Sequence, residues 1–177
     1  ATLAKAHTEK LWDTEELFTF WQENLEQRVR EAAAKGVQVQ RGTIDLQDYH
    51  HMLVGYVGQP WNREAEMLLM EREFFFEVRP GSTLYQFAGR VDQVIRVPTH
   101  LLVADFPALQ DCPKPDVIIH RDLKTGQRRG VSPFELLLND QLSIYAYGLK
   151  YGNFDLDGDG ICEAHLDVIP DFHALYF

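Results

Sequence analysis

The sequence predicts an α/β (α+β) protein built as a mixed β-sheet flanked by helices, with a helical N-terminal region. Three observations predict it. Apolar residues recur at three- and four-residue steps through the first third of the chain, β-branched and aromatic residues crowd the stretch from Glu71 to Val97, and a helical pattern returns between Phe134 and Tyr151. The 177 residues, 45% hydrophobic and 25% charged, suffice for one domain with its own core. The expected organisation is a single domain over residues 1–177, with a mainly helical part at 1–66 and the sheet with its helices at 67–177.

Each element has a local reason. Asp13 caps a helix with Glu16 as its N3 partner, and Phe18, Trp21, Leu25 and Val29 line one face until Gly36 ends the pattern. A second helix is expected from about Asp45 to Tyr56, with Gly58-Gln59-Pro60 breaking it before a short stretch from Trp61 to Leu69. Glu71 to Val78 reads as a strand, Pro80-Gly81-Ser82 as a turn, and Leu84 to Val97 as the second arm of an antiparallel hairpin. A loop carrying Pro98, Pro107, Pro113 and Pro115 leads to a strand at Val117–Leu123, whose apolar start runs into charged residues. After the helix at Phe134–Tyr151, Gly152–Gly160 is expected to turn and Ile161–Ile169 to form the last strand.

The net charge of -10 argues against a broad electrostatic grip on nucleic acid or anionic lipid. The charge is uneven: Arg121, Lys124, Arg128 and Arg129 cluster, whereas Asp155 to Asp171 holds six acids and no Lys or Arg. No apolar run is long enough to span a membrane and no leader pattern is present, so a soluble, cytoplasmic protein is expected. Two cysteines, Cys112 and Cys162, cannot build a four-cysteine zinc or iron-sulfur site and point to a reducing, intracellular setting.

The chemistry gathers at the strand ends. Asp122 and Lys124, two apart on a strand, project to one face, and Leu123 points the other way. Asp92 closes Gly89-Arg90-Val91-Asp92 on the preceding strand, which brings a second carboxylate near Asp122. Two carboxylates on neighbouring strands form a hard-oxygen site suited to Mg²⁺ or Mn²⁺. A surface salt bridge is the plainer alternative. In the following helix Gln141 and Tyr145 are four apart and share a face, available to a substrate phosphate or to a metal-bound carboxylate, or simply packed.

Taken together, Gly89-Arg90-Val91-Asp92, Asp122-Leu123-Lys124-Thr125-Gly126 and Asn139-Asp140-Gln141-Leu142-Ser143-Ile144-Tyr145-Ala146-Tyr147 resemble, in order, the motifs of the RecB-like branch of the PD-(D/E)xK nuclease superfamily. The resemblance covers roughly Glu71 to Leu149. It implies a restriction-endonuclease-like fold and a Mg²⁺- or Mn²⁺-dependent DNA nuclease, an exonuclease of recombination, repair or phage DNA processing more than a sequence-specific endonuclease. It further implies that Asp92 and Asp122 bind the metal with the Leu123 backbone carbonyl, that Lys124 positions or activates the attacking water, and that Gln141 and Tyr145 stand beside the site. Glu71 matches a position where related phage-type members often carry a Glu. The metal-binding His of the family falls on His7, with His50, His51 or a residue ahead of Ala1 as alternatives. DNA ends, and a helicase or recombination partner, are the implied partners.

Three other patterns compete. His120-Arg121-Asp122-Leu123-Lys124 looks like a protein-kinase catalytic loop, but no glycine-rich phosphate loop precedes it and Gln127 replaces the expected Asn. Asp155-Leu156-Asp157-Gly158-Asp159-Gly160 reproduces the first half of a calcium loop, whereas Leu166 stands where its bidentate Glu belongs. A tight acidic turn is the preferred reading, and calcium on Asp155, Asp157 and Asp159 would be structural. From another functional class comes a non-catalytic domain that keeps the fold as a DNA-end or protein-binding module in a helicase-nuclease assembly.

Overall fold

The computed structural model describes residues 2–38, 46–123 and 140–176, which form two compact units, residues 1–64 and 65–177. The chain is mixed α/β, of the α+β class. Among the described residues no helix is long and apolar enough to cross a membrane.

The first unit is helical. α1 spans Thr2–Thr8, α2 Thr14–Ala34, α3 Leu46–Gly58 and α4 Pro60–Glu64. α2 starts as the capping pattern requires, with the Glu16 amide donating to the Asp13 carboxylate at 2.9 Å. It ends where Gly36 takes a φ of 73°, a left-handed conformation in which a side chain would be strained. α1 was not expected from the pattern. Its buried Ala6 packs with Leu17 of α2 and with Leu53 and Val57 of α3, so tertiary burial holds a helix too short to persist alone. α3 runs to Gly58 rather than Tyr56. Pro60 then opens α4 instead of ending helical structure, because a missing N–H costs nothing in a helix's first turn.

The second unit is a six-stranded sheet in the order β5-β4-β1-β2-β3-β6, with β1 Glu66–Val78, β2 Tyr85–Pro98, β3 Asp116–Leu123, β4 Asn153–Phe154, β5 Ala164–His165 and β6 Phe172–Tyr176. β1 and β2 form the expected antiparallel hairpin, and β3 adds antiparallel to β2. The loop after β2 holds a helical turn, α5, at Thr99–Leu102, and a 3₁₀ turn at Pro107–Leu109. The last helix, α6, covers Asp140–Tyr151; the expected helical residues 134–139 lie outside the described residues.

Two boundaries depart from expectation. β1 begins at Glu66, not Glu71, because Met67, Leu69 and Met70 find partners in Ile95, Val94 and Gln93; an apolar run becomes a strand when a ladder is there to receive it. The expected last strand at Ile161–Ile169 is reduced to Ala164–His165, paired with β4, and the closing strand is instead Phe172–Tyr176, parallel to β3. Leu166 and Val168 do reach the core, but Asp167 sits at a φ of 48° and Ile161 and Ile169 are exposed, so the alternation there has no ladder partner.

α6 packs on the sheet through Phe74, which is 1% exposed. A Cβ added at Gly89 on β2 or at Gly148 on α6 would each meet the Phe74 ring at 2.7 Å. Two glycines from different elements therefore bracket one ring, and Gly89 of the Gly-x-x-Asp motif has a packing reason to lack a side chain.

The entry of β6 is fixed by one aspartate. The Ile118 amide donates to Asp171 Oδ2 at 2.9 Å, the Asp171 amide donates to the Ile118 carbonyl at 2.8 Å, and Lys114 Nζ contacts Asp171 Oδ1. Burial opposes ionisation of Asp171, but Lys114 and the Ile118 amide outweigh it and hold the carboxyl below the usual aspartate range. As pH falls, the unfolded chain takes up this proton first, so the stabilisation is present above about pH 4 and fades below it. Asp171→Ala is expected to lose about 1.5–3 kcal/mol at neutral pH, the cost of removing a charged hydrogen-bond partner from a half-buried site. Denaturant titrations from pH 7 to pH 3 should show this gap to wild type narrowing below about pH 4; a gap that ignores pH would deny the charge its role.

Candidate functional site

The ladder between β2 and β3 pairs Gln93 with Arg121 and Val94 with His120. The ladder ends at Gln93 and Arg121, and Asp92 and Asp122 are the next residue on each strand; the same register carried one step would set them side by side. On the other side of β2, the pairs Met70↔Gln93 and Arg72↔Val91 flank Glu71 and Asp92 and bring those two to the same level. Glu71, Asp92 and Asp122 thus occupy one row across three strands. Burial deepens along it: Glu71 is exposed, Asp92 half-buried and Asp122 buried at 3% exposure.

The flanking residues share that burial. Gln93, His120 and Arg121 are 0%, 0% and 1% exposed, so a central strand end that an apolar core would fill is polar instead. Arginine and aspartate are seldom buried to this degree unless they are paired, so this strand end is a polar stretch inside the sheet. No sequence motif points to Gln93, and His120 and Arg121 stand out in the sequence only in the kinase-like pattern and, for Arg121, in the basic cluster. Their signal was present, because polar residues continue the strand where the flanking Val117, Ile119, Val94 and Ile95 bury.

α6 delivers the expected pair. Gln141 Nε2 donates to the Tyr145 hydroxyl at 2.7 Å, as the four-residue spacing implies. The Tyr145 ring meets His120 edge-on at 4.9 Å and Phe74 at 5.9 Å. His120 and Asp122 are two apart on β3 and so share its face, which places the Gln141–Tyr145 pair beside the row of carboxylates.

Glu71 differs from its neighbours. Its backbone lies at a φ of 49°, a left-handed conformation inside a strand, and its Oε2 accepts from Arg90 Nη2 at 2.7 Å. A non-glycine residue held there costs about 1–2 kcal/mol, and such strain collects at functional positions.

Lys124, Arg128 and Arg129 lie outside the described residues, and Leu123 is the last residue of β3. His7 belongs to the first unit, where it is buried and its Nε2 hydrogen-bonds the Tyr56 hydroxyl at 2.7 Å, with Trp12 packed edge-on at 4.9 Å. His50 pairs with Glu15 at 2.8 Å in the same unit.

The acidic turn is well formed. Asp155, buried, accepts from the amides of Gly158 and Gly160 at 2.6 and 2.9 Å; Asp157 accepts from Asp159 at 3.2 Å, and Asp159 from Ile161 at 2.7 Å. Burial opposes the Asp155 charge, yet the amides hold its carboxyl below the usual range. Gly158 and Gly160 both take a φ of 88°, as a tight turn requires. Among the described residues this trio, and not Glu71 with Asp92 and Asp122, brings three ligand atoms within 4.8 Å of one another. The trio could hold a metal ion.

No protein-family model, no curated protein and no solved structure matches this chain.

Proposed function

We propose that this chain is a Mg²⁺- or Mn²⁺-dependent deoxyribonuclease with a restriction-endonuclease-like fold, of the RecB-like kind, acting on DNA ends in recombination, repair or phage DNA processing. The observation that carries the reading is the register of β2 and β3, whose last pair, Gln93 with Arg121, adjoins Asp92 on one strand and Asp122 on the other although thirty positions of chain separate the two motifs. Two carboxylates gathered at the ends of neighbouring strands are a hard-oxygen donor set of the kind that a divalent cation takes. The donor chemistry fits: hard carboxylate oxygens from Asp92 and Asp122, with the Leu123 carbonyl and Glu71 as further oxygens, suit Mg²⁺ or Mn²⁺. Such an ion, when bound, supplies an activated water and neutralises charge on the phosphate.

The chain's own residues do the rest. Asp92 and Asp122 fix the site on two adjacent strands, each directly beyond the last pair of their ladder, Gln93 with Arg121. Lys124, next but one to Asp122, brings a positive charge to developing phosphate charge. Tyr145, held by Gln141, packs edge-on against His120, the residue next but one to Asp122 on its strand.

A second reading, a non-catalytic DNA-end or protein-binding module with structural calcium, draws on two observations: Glu71 is engaged by Arg90, and the convergent trio of carboxylates is Asp155, Asp157 and Asp159. One experiment separates the two. End-labelled linear single- and double-stranded DNA is incubated with the protein in Mg²⁺, Mn²⁺, Ca²⁺ or EDTA, beside Asp92→Asn. Cleavage in Mg²⁺ or Mn²⁺ that EDTA and Asp92→Asn both abolish is the expected result. DNA retention without cleavage in any metal would favour the binding module.

A further inference from the structure

We propose that Arg90 is the phosphate-binding residue of this site and that Glu71 is its resting counter-ion, the two parting when metal and DNA arrive. The inference rests on the nuclease reading and adds a substrate-binding residue to it. Glu71 stands at the level of Asp92 by register, yet its carboxylate reaches along the sheet to Arg90, two residues before Asp92 on β2. The pair is open to solvent, with Arg90 54% and Glu71 42% exposed. An exposed ion pair is worth little, so it can be exchanged at small cost. Glu71 then has a better partner in a cation at Asp92 and Asp122, and its left-handed backbone at φ 49° fixes where its side chain starts. Arg90, released, carries a planar fork of donors that matches two phosphate oxygens, which a lysine cannot match. Glu73 stands across from Arg90 in the ladder, and Asp92 lies two residues further along the same strand, so Arg90 is flanked by acids on the side of the row. The ligand is the phosphodiester backbone, irrespective of base.

The test uses the full chain. Free Mn²⁺ is titrated by its paramagnetic resonance signal, and binding of a fluorescent single-stranded oligonucleotide is measured in Ca²⁺, for wild type, Arg90→Ala, Arg90→Lys and Glu71→Gln. Arg90→Ala is expected to weaken oligonucleotide binding about 10- to 100-fold, as loss of a charged hydrogen bond does, and to leave Mn²⁺ affinity unchanged or tighter. Arg90→Lys should fall between, and Glu71→Gln should weaken Mn²⁺ about 10-fold with oligonucleotide affinity kept at fixed saturating metal. Thermal melts check that each variant folds; Arg90→Lys keeps the charge and serves if the alanine protein does not. Oligonucleotide affinity unmoved by both Arg90 variants, in a protein whose cleavage still needs Asp122, overturns this inference alone. Arg90→Ala weakening Mn²⁺ as much as Glu71→Gln does would make Arg90 a mere support for Glu71 and also overturn it. A wild-type protein that neither binds Mn²⁺ nor cleaves DNA removes the nuclease reading and this inference together.

Discussion

Asp122→Asn is expected to lower metal-dependent DNA cleavage about 1,000-fold while the protein stays folded. The size follows from removing a buried metal-binding carboxylate, worth several kcal/mol of transition-state stabilisation at about 1.4 kcal/mol per tenfold. The persistence of the fold follows from size. Asp122 is 3% exposed, and asparagine matches its size, so the surrounding packing is kept. With Mg²⁺ or Mn²⁺, wild type should gain stability in proportion to how far the ion exceeds its dissociation constant, and Asp122→Asn should gain little. Scanning calorimetry with and without Mn²⁺, run beside the cleavage assay, measures both. A variant that loses cleavage only because it unfolds would make Asp122 structural, and a variant that cleaves at the wild-type rate would end the assignment.

Phe74→Ala is expected to cost about 3–5 kcal/mol, enough to unfold most marginal domains, because it empties the centre of the core between sheet and helix. Phe74 touches Phe76 and Phe154 as well as Tyr145, at centroid distances of 6.0, 5.9 and 5.9 Å. The converse change, Gly148→Ala, sets two effects against each other. Alanine gains about 1 kcal/mol in helix propensity over glycine, but its Cβ would lie 2.7 Å from a ring that is itself enclosed. Overpacking costs about 1–3 kcal/mol, so net destabilisation is expected, read as a lowered denaturant midpoint at unchanged slope. The double variant Phe74→Leu with Gly148→Ala should recover part of the loss, since the smaller side chain makes room. A Gly148→Ala protein more stable than wild type would show that the ring moves aside and that the bracket is not rigid.

The candidate site at this end of the sheet couples to that packing. Tyr145 leans on Phe74 and on His120 together, so a shift of the ring moves the helix that carries Gln141 and Tyr145 past Asp122. A Gly148 variant that stays folded is therefore a sensitive probe of how closely α6 must sit.

The sequence by itself determined the local elements whose causes are local. The Asp13 cap, the left-handed Gly36 stop, the hairpin around Pro80-Gly81-Ser82, β3 and the i,i+4 pairing of Gln141 with Tyr145 all depend on a few adjacent residues. The residue types of the candidate site were legible for the same reason, because Asp92, Asp122, Gln141 and Tyr145 stand in compact motifs. What needed partners distant in the chain was decided only by the tertiary structure. The start of β1 waited on Val94 and Ile95, the closing strand fell at Phe172–Tyr176 because Ile118 and Lys114 receive Asp171, and α1 exists because Leu17, Leu53 and Val57 bury Ala6. The burial of Gln93, His120 and Arg121, and the alignment of Glu71 with Asp92 and of Asp92 with Asp122, are likewise properties of strand register. Side chains alternate by two along a strand, so a slip of one residue would turn that row away from its partners; the ladder, which no single segment encodes, sets which carboxylates meet.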